Sequence, residues 1–591
     1  MILNRQPLLI LVISFILGIF FQDYFACTQN TIYLVLFFTF FFFGLTFLQN
    51  VFLFKLRNTF LITLFFGLGI SFHFYNNSSV RKLNLKTDET IVFKVSKKLN
   101  SNEKYKKYEV LAQAGNEPFN AILSIEKDHN ELDFKHYYKA KAYIVQPKAP
   151  EHSFQFNYLN YLKRKDIHYQ CFINGEISSM KRDDLNLTEK IRQKRLETLQ
   201  EISQSEMNFR SREFLKGIIL ADRTEIDSET VQDFNRSGLV HFLAISGTHI
   251  VVIFGMFYFL MMQFSTVGMK KYAIVMSLLF IWIFAVFIGF GNSVVRSCIM
   301  ISVYFIYVLL QRKTDLLHAM ALSAFIVLIA DTQQIFDVGF QLSFLAVFGI
   351  YWLNQPILKY LPRQDNYFRK LIFNTLSISI SAQLATLPLV LYYFHQFSLI
   401  SVLANFFIVP FSEVIIVFSF LMTALIGFNL DFPLINSVYD FVIQILLEII
   451  HWFAGFSSVF FENIPLNIVE IFLLFWMVYC LRFALERFNL KNISNFIFIV
   501  ITFLFIRILF NITENERDEL LIHHYKKEVI ISVKNGRLVE FWLGSADDQE
   551  KIKQYIINPY LSSRRTGYYK IKYIPQSVDK FSFKGKTYIL K

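Results

Sequence analysis

Long apolar runs with almost no charged residues constrain the fold of this chain more than any other feature of its sequence. An α-helix needs roughly 20 apolar residues to cross the hydrocarbon core of a bilayer, and about thirteen segments meet that need. One of them, 398–428, contains Pro410, and we expect the helix to be broken there. The sequence therefore predicts a polytopic α-helical membrane protein with about 11–13 spans. The other predicted spans are 7–22, 31–49, 58–75, 240–263, 271–290, 294–311, 317–331, 338–354, 371–393, 434–457, 465–482 and 494–511.

Composition agrees with this class. The chain is 54% hydrophobic and 18% aromatic, whereas soluble domains are roughly 45–50% apolar. Its four cysteines lie far apart and no pair suggests a metal site, so we expect neither a metal nor a cofactor. The net charge of +13 indicates nucleic acid only weakly, because lysines and arginines also anchor membrane helices.

Lysines and arginines in the short loops indicate how the helices cross the membrane. Such residues collect in the loops on the cytoplasmic side. If the N-terminus is cytoplasmic and 398–428 crosses once, every loop cluster falls on that side. We therefore expect a multi-pass protein of the inner (cytoplasmic) membrane, with its soluble segments, about 76–236 and 513–591, both outside the cytoplasm.

Residues 87–175 carry the pattern of a small extracytoplasmic β-domain. Short runs rich in Val, Ile, Tyr and Phe alternate with turn residues. Five strands in about 90 residues suit a small β-barrel such as an OB-fold, and a sandwich of similar size also remains open. The runs are Val92–Ser96, Tyr108–Gln113, Ala121–Glu126, Tyr138–Val145 and Tyr169–Ile173.

The remaining soluble sequence is of two kinds. Residues 187–236 are charged and amphipathic, which predicts helices lying along the membrane surface. The tail from 520 alternates apolar and polar residues and predicts a short C-terminal α+β element. We therefore expect a three-span segment at 1–75, an OB-like domain at 76–180, a helical connector at 181–236, a membrane core at 237–512 and a small domain at 513–591.

One stretch, GLVHFLAISGTHIVVIFGM (238–256), places polar groups at the start of an apolar run. His241 and His249 flank Ser246 and Gly247 there. Ionisable groups in a span are costly and usually face a cavity or a partner, and a small Ser-Gly pair permits close backbone approach. Hydrogen bonding of both histidines to neighbouring helices explains the pattern equally well. A Ser-His catalytic pair is disfavoured, because no carboxylate lies nearby to orient a histidine.

Three later stretches also carry polar residues or prolines inside apolar runs. Helices with buried amides suit a conduit or substrate site in a bilayer, although each residue could separately serve helix packing, worth roughly 1 kcal/mol per hydrogen bond. An arginine near the start of a span could also simply reach the interface. The residues are Ser293 and Arg296, then Asp337 and Gln341, then Gln383, Pro388, Asn405 and Pro410.

These four stretches, in this order, resemble the ComEC family, the competence channel of naturally transformable bacteria. The upstream GIILADRTEI (217–226) resembles a short family element in which a glycine usually stands at the position of Ala221. FNYLNYLKRKDI (156–167) resembles the stretch after the family's OB-like domain, with Asn157 in place of an acid. The resemblance implies a channel that carries single-stranded DNA into the cytoplasm. It makes His241, Ser246, Gly247, His249, Ser293, Arg296, Asp337, Gln341, Gln383, Pro388, Asn405 and Pro410 the predicted path residues.

If the resemblance holds, DNA meets the OB-like domain first. Lysines there would track phosphates while aromatic rings stack on bases. A solvated lysine-rich surface would give the same pattern. The predicted DNA-binding residues are Phe93, Lys94, Lys97, Lys98, Tyr105, Lys106, Lys107 and Tyr108.

The resemblance also implies partners. Many family members carry a metallo-β-lactamase-like domain whose His/Asp cluster holds two cations, but this tail offers only the adjacent His523 and His524. We therefore expect no enzyme activity here, and a separate nuclease for the second strand. No Walker A motif is present, so a cytoplasmic helicase would supply ATP-driven pulling. Other expected partners are membrane lipids, an external DNA receptor and a second copy of the chain.

Two rival classes stay open. A transporter or flippase of lipid-linked or peptide substrates would explain the spans, but not the order of the motifs or the OB-like pattern. A membrane-embedded enzyme using His241, Ser246 or His249 ranks third, because these residues lack a carboxylate partner in the sequence around them.

Overall fold

The computed structural model describes residues 6–77, 86–101, 104–115, 117–264, 269–313, 315–526, 528–544, 548–574, 580–583 and 586–589. They form two compact units, and each unit combines apolar helices with a β-sheet. The first unit comprises Met1–Pro147, Leu162–Tyr351 and Leu403–Gly455. The second comprises Lys148–Tyr161, Trp352–Val402 and Phe456–Lys591.

Close packing of small residues holds the N-terminal helices of the first unit together. A Cβ atom on Gly18 would lie 2.1 Å from the carbonyl oxygen of Phe66, and one on Gly69 would lie 2.1 Å from that of Phe15. Glycines at such a contact let two backbones approach, as is common between membrane helices. These helices are α1 (Pro7–Phe25), α2 (Gln29–Leu45) and α3 (Val51–Asn77).

The β-domain of the first unit is a ring of five strands. β1 pairs antiparallel with both β2 and β4, while β3 pairs with β2 and runs parallel to β5, which pairs with β4. A sixth short strand extends the sheet beside β4. The five strands predicted from the sequence are confirmed. The elements are β1 (Asp88–Leu99), β2 (Tyr105–Ala114), β3 (Glu117–Glu126), β4 (His136–Val145), α4 (Tyr158–Lys163), β5 (Tyr169–Ile173) and β6 (Ser178–Lys181).

Three connector helices follow the β-domain, as the amphipathic pattern predicted. They are α5 (Leu187–Gln204), α6 (Phe209–Leu220) and α7 (Ser228–Arg236). Asn186 and Glu189 form a capping box that starts α5. Leu196 of the same helix joins the apolar core of the β-domain, so this face of the connector is fixed to the strands.

Apolar helices occupy all the predicted spans. Among the described residues, nine helices are long and apolar enough to cross a bilayer, and three shorter apolar helices accompany them. The helices that follow the connector are α8 (Gly247–Gln263), α9 (Lys270–Phe287), α10 (Asn292–Leu309), α11 (Leu316–Ala330), α12 (Val338–Leu358), α13 (Tyr367–Phe394), α14 (Ser401–Gly427), α15 (Pro433–Ala454), α16 (Ile468–Glu486) and α17 (Leu490–Asn515). The two-residue strands β7 (Phe397–Ser398) and β8 (Phe460–Phe461) pair within the second unit.

The expectation of a broken span at 398–428 is wrong. α14 runs without interruption from Ser401 to Gly427 with Pro410 inside it, and α13 likewise continues through Pro388. A proline removes one backbone hydrogen bond and crowds the preceding turn, and neighbouring helices compensate for such a loss in membrane helices.

A small α+β element closes the second unit, as the alternating tail predicted. Its sheet has the order β12-β11-β10-β9, and β12 runs parallel to β11 after two short helices. Phe154 packs against the core of this element, and His152 Nε2 lies 2.9 Å from the carbonyl oxygen of Ile522. The elements are β9 (Glu519–Tyr525), β10 (Glu528–Asn535), β11 (Leu538–Leu543), α18 (Gln549–Ile552), α19 (Asn558–Ser563), β12 (Tyr568–Tyr573), β13 (Lys580–Phe583) and β14 (Lys586–Ile589).

Candidate functional site

The first predicted stretch forms the start of α8. Ser246 is the residue before the helix, and its backbone N–H donates to His249 Nδ1 at 3.1 Å. The Ser246 hydroxyl lies 2.9 Å from the same nitrogen. His249 therefore caps its own helix and is fully buried, whereas His241 is exposed.

The hydrogen bonds of His249 also identify which of its nitrogens carries the proton. Because Nδ1 accepts from the Ser246 backbone, the neutral ring is protonated at Nε2. That Nε2–H is buried and has no hydrogen-bond partner among the described residues. A buried donor without an acceptor is costly, so this atom stands out among the polar groups of the first stretch.

The second and third stretches meet in an ion pair. Arg296 Nη1 of α10 lies 3.3 Å from Asp337 Oδ1, and the same carboxylate oxygen accepts from the Phe340 N–H at the start of α12. Arg296 is 4% exposed, and its Nε has no partner in the described part of the chain. Arg296 is therefore buried and paired with Asp337, so the expectation that it only reaches the membrane interface is wrong.

Two glycines let these stretches approach. A Cβ atom on Gly247 would lie 3.2 Å from Ser297 Oγ of α10, which in turn donates to the Ser293 carbonyl at 2.9 Å. A Cβ atom on Gly339 would lie 2.9 Å from both Arg296 Nη2 and Asp337 Oδ1. The starts of α8 and α12 thus both contact α10. Three of the four predicted stretches therefore form one continuous cluster, called here the membrane cluster.

The remaining predicted path residues are divided between the two units. Gln341 donates to the Ile335 carbonyl at 2.9 Å, within its own stretch. Asn405 lies in the first unit with its Oδ1 buried and, among the described residues, without a partner. In the second unit Gln383 Nε2 donates to Ser401 Oγ at 2.6 Å, and its buried Oε1 has no partner in the described ranges. Pro388 and Pro410 lie within continuous helices.

Two predicted DNA-binding residues of the β-domain are not accessible. Phe93 and Tyr108 are 1% and 0% exposed, because they belong to the faces of β1 and β2 that form the core. Rings in that position cannot stack on a base, so their assignment as DNA-binding residues is wrong.

Three of the predicted lysines already have partners in the protein. Lys94 pairs with Glu189 at 3.2 Å, and Lys98 pairs with Glu131 at 2.7 Å and with Asp222 at 3.3 Å. Lys106 donates to the carbonyl of His129 at 2.6 Å. The three other predicted residues stay accessible to solvent, since Lys97 is exposed and Tyr105 and Lys107 are partly exposed.

Sequence reasoning missed a polar network beside the third stretch. Arg164 pairs with Asp23 at 3.0 Å and donates to Gln333 at 2.8 Å. His73, which is fully buried, lies 2.9 Å from Thr332 Oγ1 and 3.3 Å from Asp23. The basic run in FNYLNYLKRKDI is a signal of this network, but its partners lie far away in the sequence.

The turn after α6 explains one departure from the family pattern. Ala221 has φ 56°, the left-handed conformation that glycine adopts without strain. The backbone therefore keeps the shape that a glycine would favour, at a cost of the order of 1 kcal/mol for alanine. This turn presents Asp222 and Arg223, and Asp222 accepts from the Thr224 N–H at 3.1 Å.

Comparison with known proteins finds a match over the part of the chain that contains the cluster. Residues 218–488 match the family model described as "Competence protein", and every predicted path residue lies within that range. The chain is similar to "ComE operon protein 3" of Bacillus subtilis (strain 168), with 30% identity over 260 residues. That alignment covers 43% of this chain and 31% of the relative, so the chain spans about a third of that relative's length. No solved structure matches the chain. The similarity to the competence protein family thus covers residues 218–488, a little under half of the chain.

Proposed function

We propose that this protein is an inner-membrane channel that carries single-stranded DNA into the cytoplasm during natural transformation. The pairing of the buried Arg296 with Asp337 is the observation that carries the proposal, because it links two family stretches inside an apolar bundle. A charge in such a place usually faces a pathway. The relative named "ComE operon protein 3" supports a role in competence and DNA uptake.

The polar groups of the cluster suit a strand that must move. A conduit for a polyanion has to attract phosphates without holding each one tightly. One guanidinium that shares its charge with Asp337, together with the donor at His249 Nε2, supplies weak and separated contacts. In the same unit, Asn405 adds a neutral amide whose oxygen is free of partners among the described residues.

The β-domain supports the same proposal. Its strand order, 1-2-3-5-4 with β1 closing on β4, is consistent with an OB-like barrel, a fold that often binds single strands. We place this domain and the C-terminal element outside the cytoplasm, as the loop charges favour. An external receptor would deliver DNA to it, a cytoplasmic helicase would pull the strand, and a separate nuclease would degrade the other strand. Two copies of the chain could share the membrane.

We further propose that the chain is not an enzyme. Ser246 Oγ does lie 2.9 Å from His249, but the contact is to Nδ1, which already accepts the Ser246 backbone N–H. In a catalytic triad the second ring nitrogen binds a carboxylate, and His249 Nε2 has no such partner in the described ranges. The contact therefore suits a helix cap, and a serine-directed covalent probe should leave Ser246 unlabelled.

Import of labelled DNA into the cytoplasm tests the proposed function directly. We expect a deletion strain to bind DNA externally and to import none, and we expect Arg296→Ala to be produced but inactive. Arg312→Ala is the matched control, because Arg312 is an exposed loop residue. Unchanged import in the deletion strain would refute the channel, and DNA-independent lipid flipping by the purified protein would favour the flippase.

A further inference from the structure

Basic side chains gather where the β-domain meets the connector, and they lack the acidic partners that their neighbours have. Lys94, Lys98 and Lys194 each form an ion pair with a glutamate nearby. In the described part of the chain no carboxylate lies within ion-pair distance of Lys97, Arg192, Arg195 or Arg223, a set called here the cationic row.

Backbone carbonyls hold two members of the row in place. Arg192 Nη1 donates to the Ser96 carbonyl at 2.7 Å, and its buried Nε has no partner among the described residues. Arg195 Nε donates to the Leu220 carbonyl at 3.0 Å, at the end of α6. A carbonyl orients a guanidinium but carries no counter-charge for it.

Lys97 adds a third charge beside them. The pairing of β1 with β2 shifts register between Val95 and Lys97, and Lys97 stays exposed. Desolvation of its ammonium group by the surrounding protein lowers the pKa of Lys97, and Glu109 partly opposes this shift. The positive charges of Lys165, Arg195 and Arg192 lower the pKa further. These cations therefore repel one another, and a polyanion would relieve the repulsion.

Arg223 continues the row towards the membrane cluster. Its side chain packs beside Gly217, where an added Cβ would lie 3.6 Å from Arg223 Cγ, and it is half-buried. Burial lowers the pKa of its guanidinium. The charge of Arg223 also acts on His249 at the start of α8. Charges thus follow one another from β1 through α5 and the turn after α6 to the first predicted stretch.

We propose that the cationic row binds successive phosphodiesters of one nucleic-acid strand between the β-domain and the start of α8. This inference rests on the proposed function. Four cations without ion-pair partners, arranged in a row, suit a repeating polyanion better than a single small anion, because each phosphate can contact a different side chain. Asp222 acts electrostatically on Arg195 but forms its ion pair with Lys98, so it offsets the charge of the row only in part.

Salt-dependent binding of a labelled single-stranded oligonucleotide to the full-length protein tests the row. The protein would be held in nanodiscs of neutral lipid, and affinity would be measured across a range of salt concentrations. Removal of one phosphate-binding cation should make the slope of log affinity against log salt shallower by about 0.7 for a single strand. We expect that change in Lys97→Gln, Arg192→Gln and Arg223→Gln.

Lys194→Gln is the matched control, because Lys194 lies on the same helix as Arg192 but pairs with Glu201. Its slope should equal that of the unmodified protein. Arg192→Lys and Arg223→Lys keep the charge and should restore most of the slope, which separates the effect of charge from misfolding. Unchanged slopes in all three glutamine variants would overturn the inference.

Two further outcomes separate this inference from its alternatives. A phospholipid headgroup carries the same phosphodiester, so the thermal shift caused by phosphatidylglycerol would be measured in parallel. A shift that disappears in the glutamine variants, with oligonucleotide binding unchanged, would assign the row to lipid and overturn the proposal. If the deletion strain imports no DNA but the double variant Arg192→Gln/Arg223→Gln imports it normally, the cationic row alone is refuted. If the deletion strain imports DNA normally, the channel itself is refuted.

Discussion

The guanidinium carbon of Arg164 lies 3.6 Å from the ring centroid of Phe336. The same side chain pairs with Asp23 at the end of α1. Phe336 directly precedes Asp337, which pairs with Arg296. Arg164, which lies between β4 and β5, thus contacts the turn that carries Asp337 into its ion pair with Arg296.

Replacing Arg164 with lysine should weaken this connection without removing its charge. A lysine cannot bind both carboxylate oxygens of Asp23 and cover the ring of Phe336 at once. We expect a loss of about 1 kcal/mol in stability and several-fold lower DNA import, with external DNA binding unchanged. Lys163→Gln is the control, because Lys163 is exposed. Import at the normal rate in Arg164→Lys would show that this side chain does not position the cluster.

A single methyl group at Gly339 should disturb the ion pair. Its Cβ would lie 2.9 Å from Arg296 Nη2 and from Asp337 Oδ1, closer than real Cβ atoms come to their neighbours. We expect Gly339→Ala to separate the two side chains and to reduce DNA import at least tenfold. Gly255→Ala is the control, since a Cβ there would meet nothing within 4 Å. Equal import by the two variants would contradict the prediction.

Patterns that depend on neighbours in the sequence predicted most of the fold. Apolar run length located the membrane helices, and strand alternation located β1 to β5. The alternation also indicates that Phe93 and Tyr108 are buried, because both share their strand face with other buried apolar residues, as Ile91 and Val110 show.

Interactions between distant residues could not be predicted in the same way. Lys98 meets Asp222, and Arg164 meets Asp23, only because the chain folds back across more than a hundred residues. Whether a lysine is paired or accessible depends on such interactions, so the sequence could not separate Lys98 from Lys97. The continuity of α14 could not be predicted for the same reason, because tertiary packing decides whether a helix continues through a proline.

Acid should loosen the C-terminal element. His523 is fully buried beside Ser532, and burial, with the charges of His152, His524 and Arg564, lowers its pKa from 6.5 to about 3. The unfolded chain therefore takes up a proton first as the pH falls below 6.5, and the free energy of unfolding decreases from there towards pH 3. Between pH 7 and pH 5 the loss should be about 2 kcal/mol.

Hydrogen exchange of peptides from β9 and β10 in the full-length protein measures this loss, after correction for the intrinsic pH dependence of exchange. His523→Gln keeps a polar group beside Ser532 but cannot titrate, so its protection should change much less over the same pH range. The same pH dependence in both proteins would assign the acid sensitivity to another group.

A double substitution separates the two roles that the Arg296–Asp337 pair could have. Asp337→Asn leaves a buried guanidinium without its counter-charge, and loss of one partner of a buried pair typically costs about 3–5 kcal/mol, less here because Asp337 is partly exposed. Arg296→Gln should be milder, and the double variant should recover much of the stability because no charge stays unpaired. If Arg296 also contacts phosphates, the double variant will melt close to the unmodified protein and still import no DNA. Recovery of import together with stability would reduce the pair to a structural link between α10 and α12.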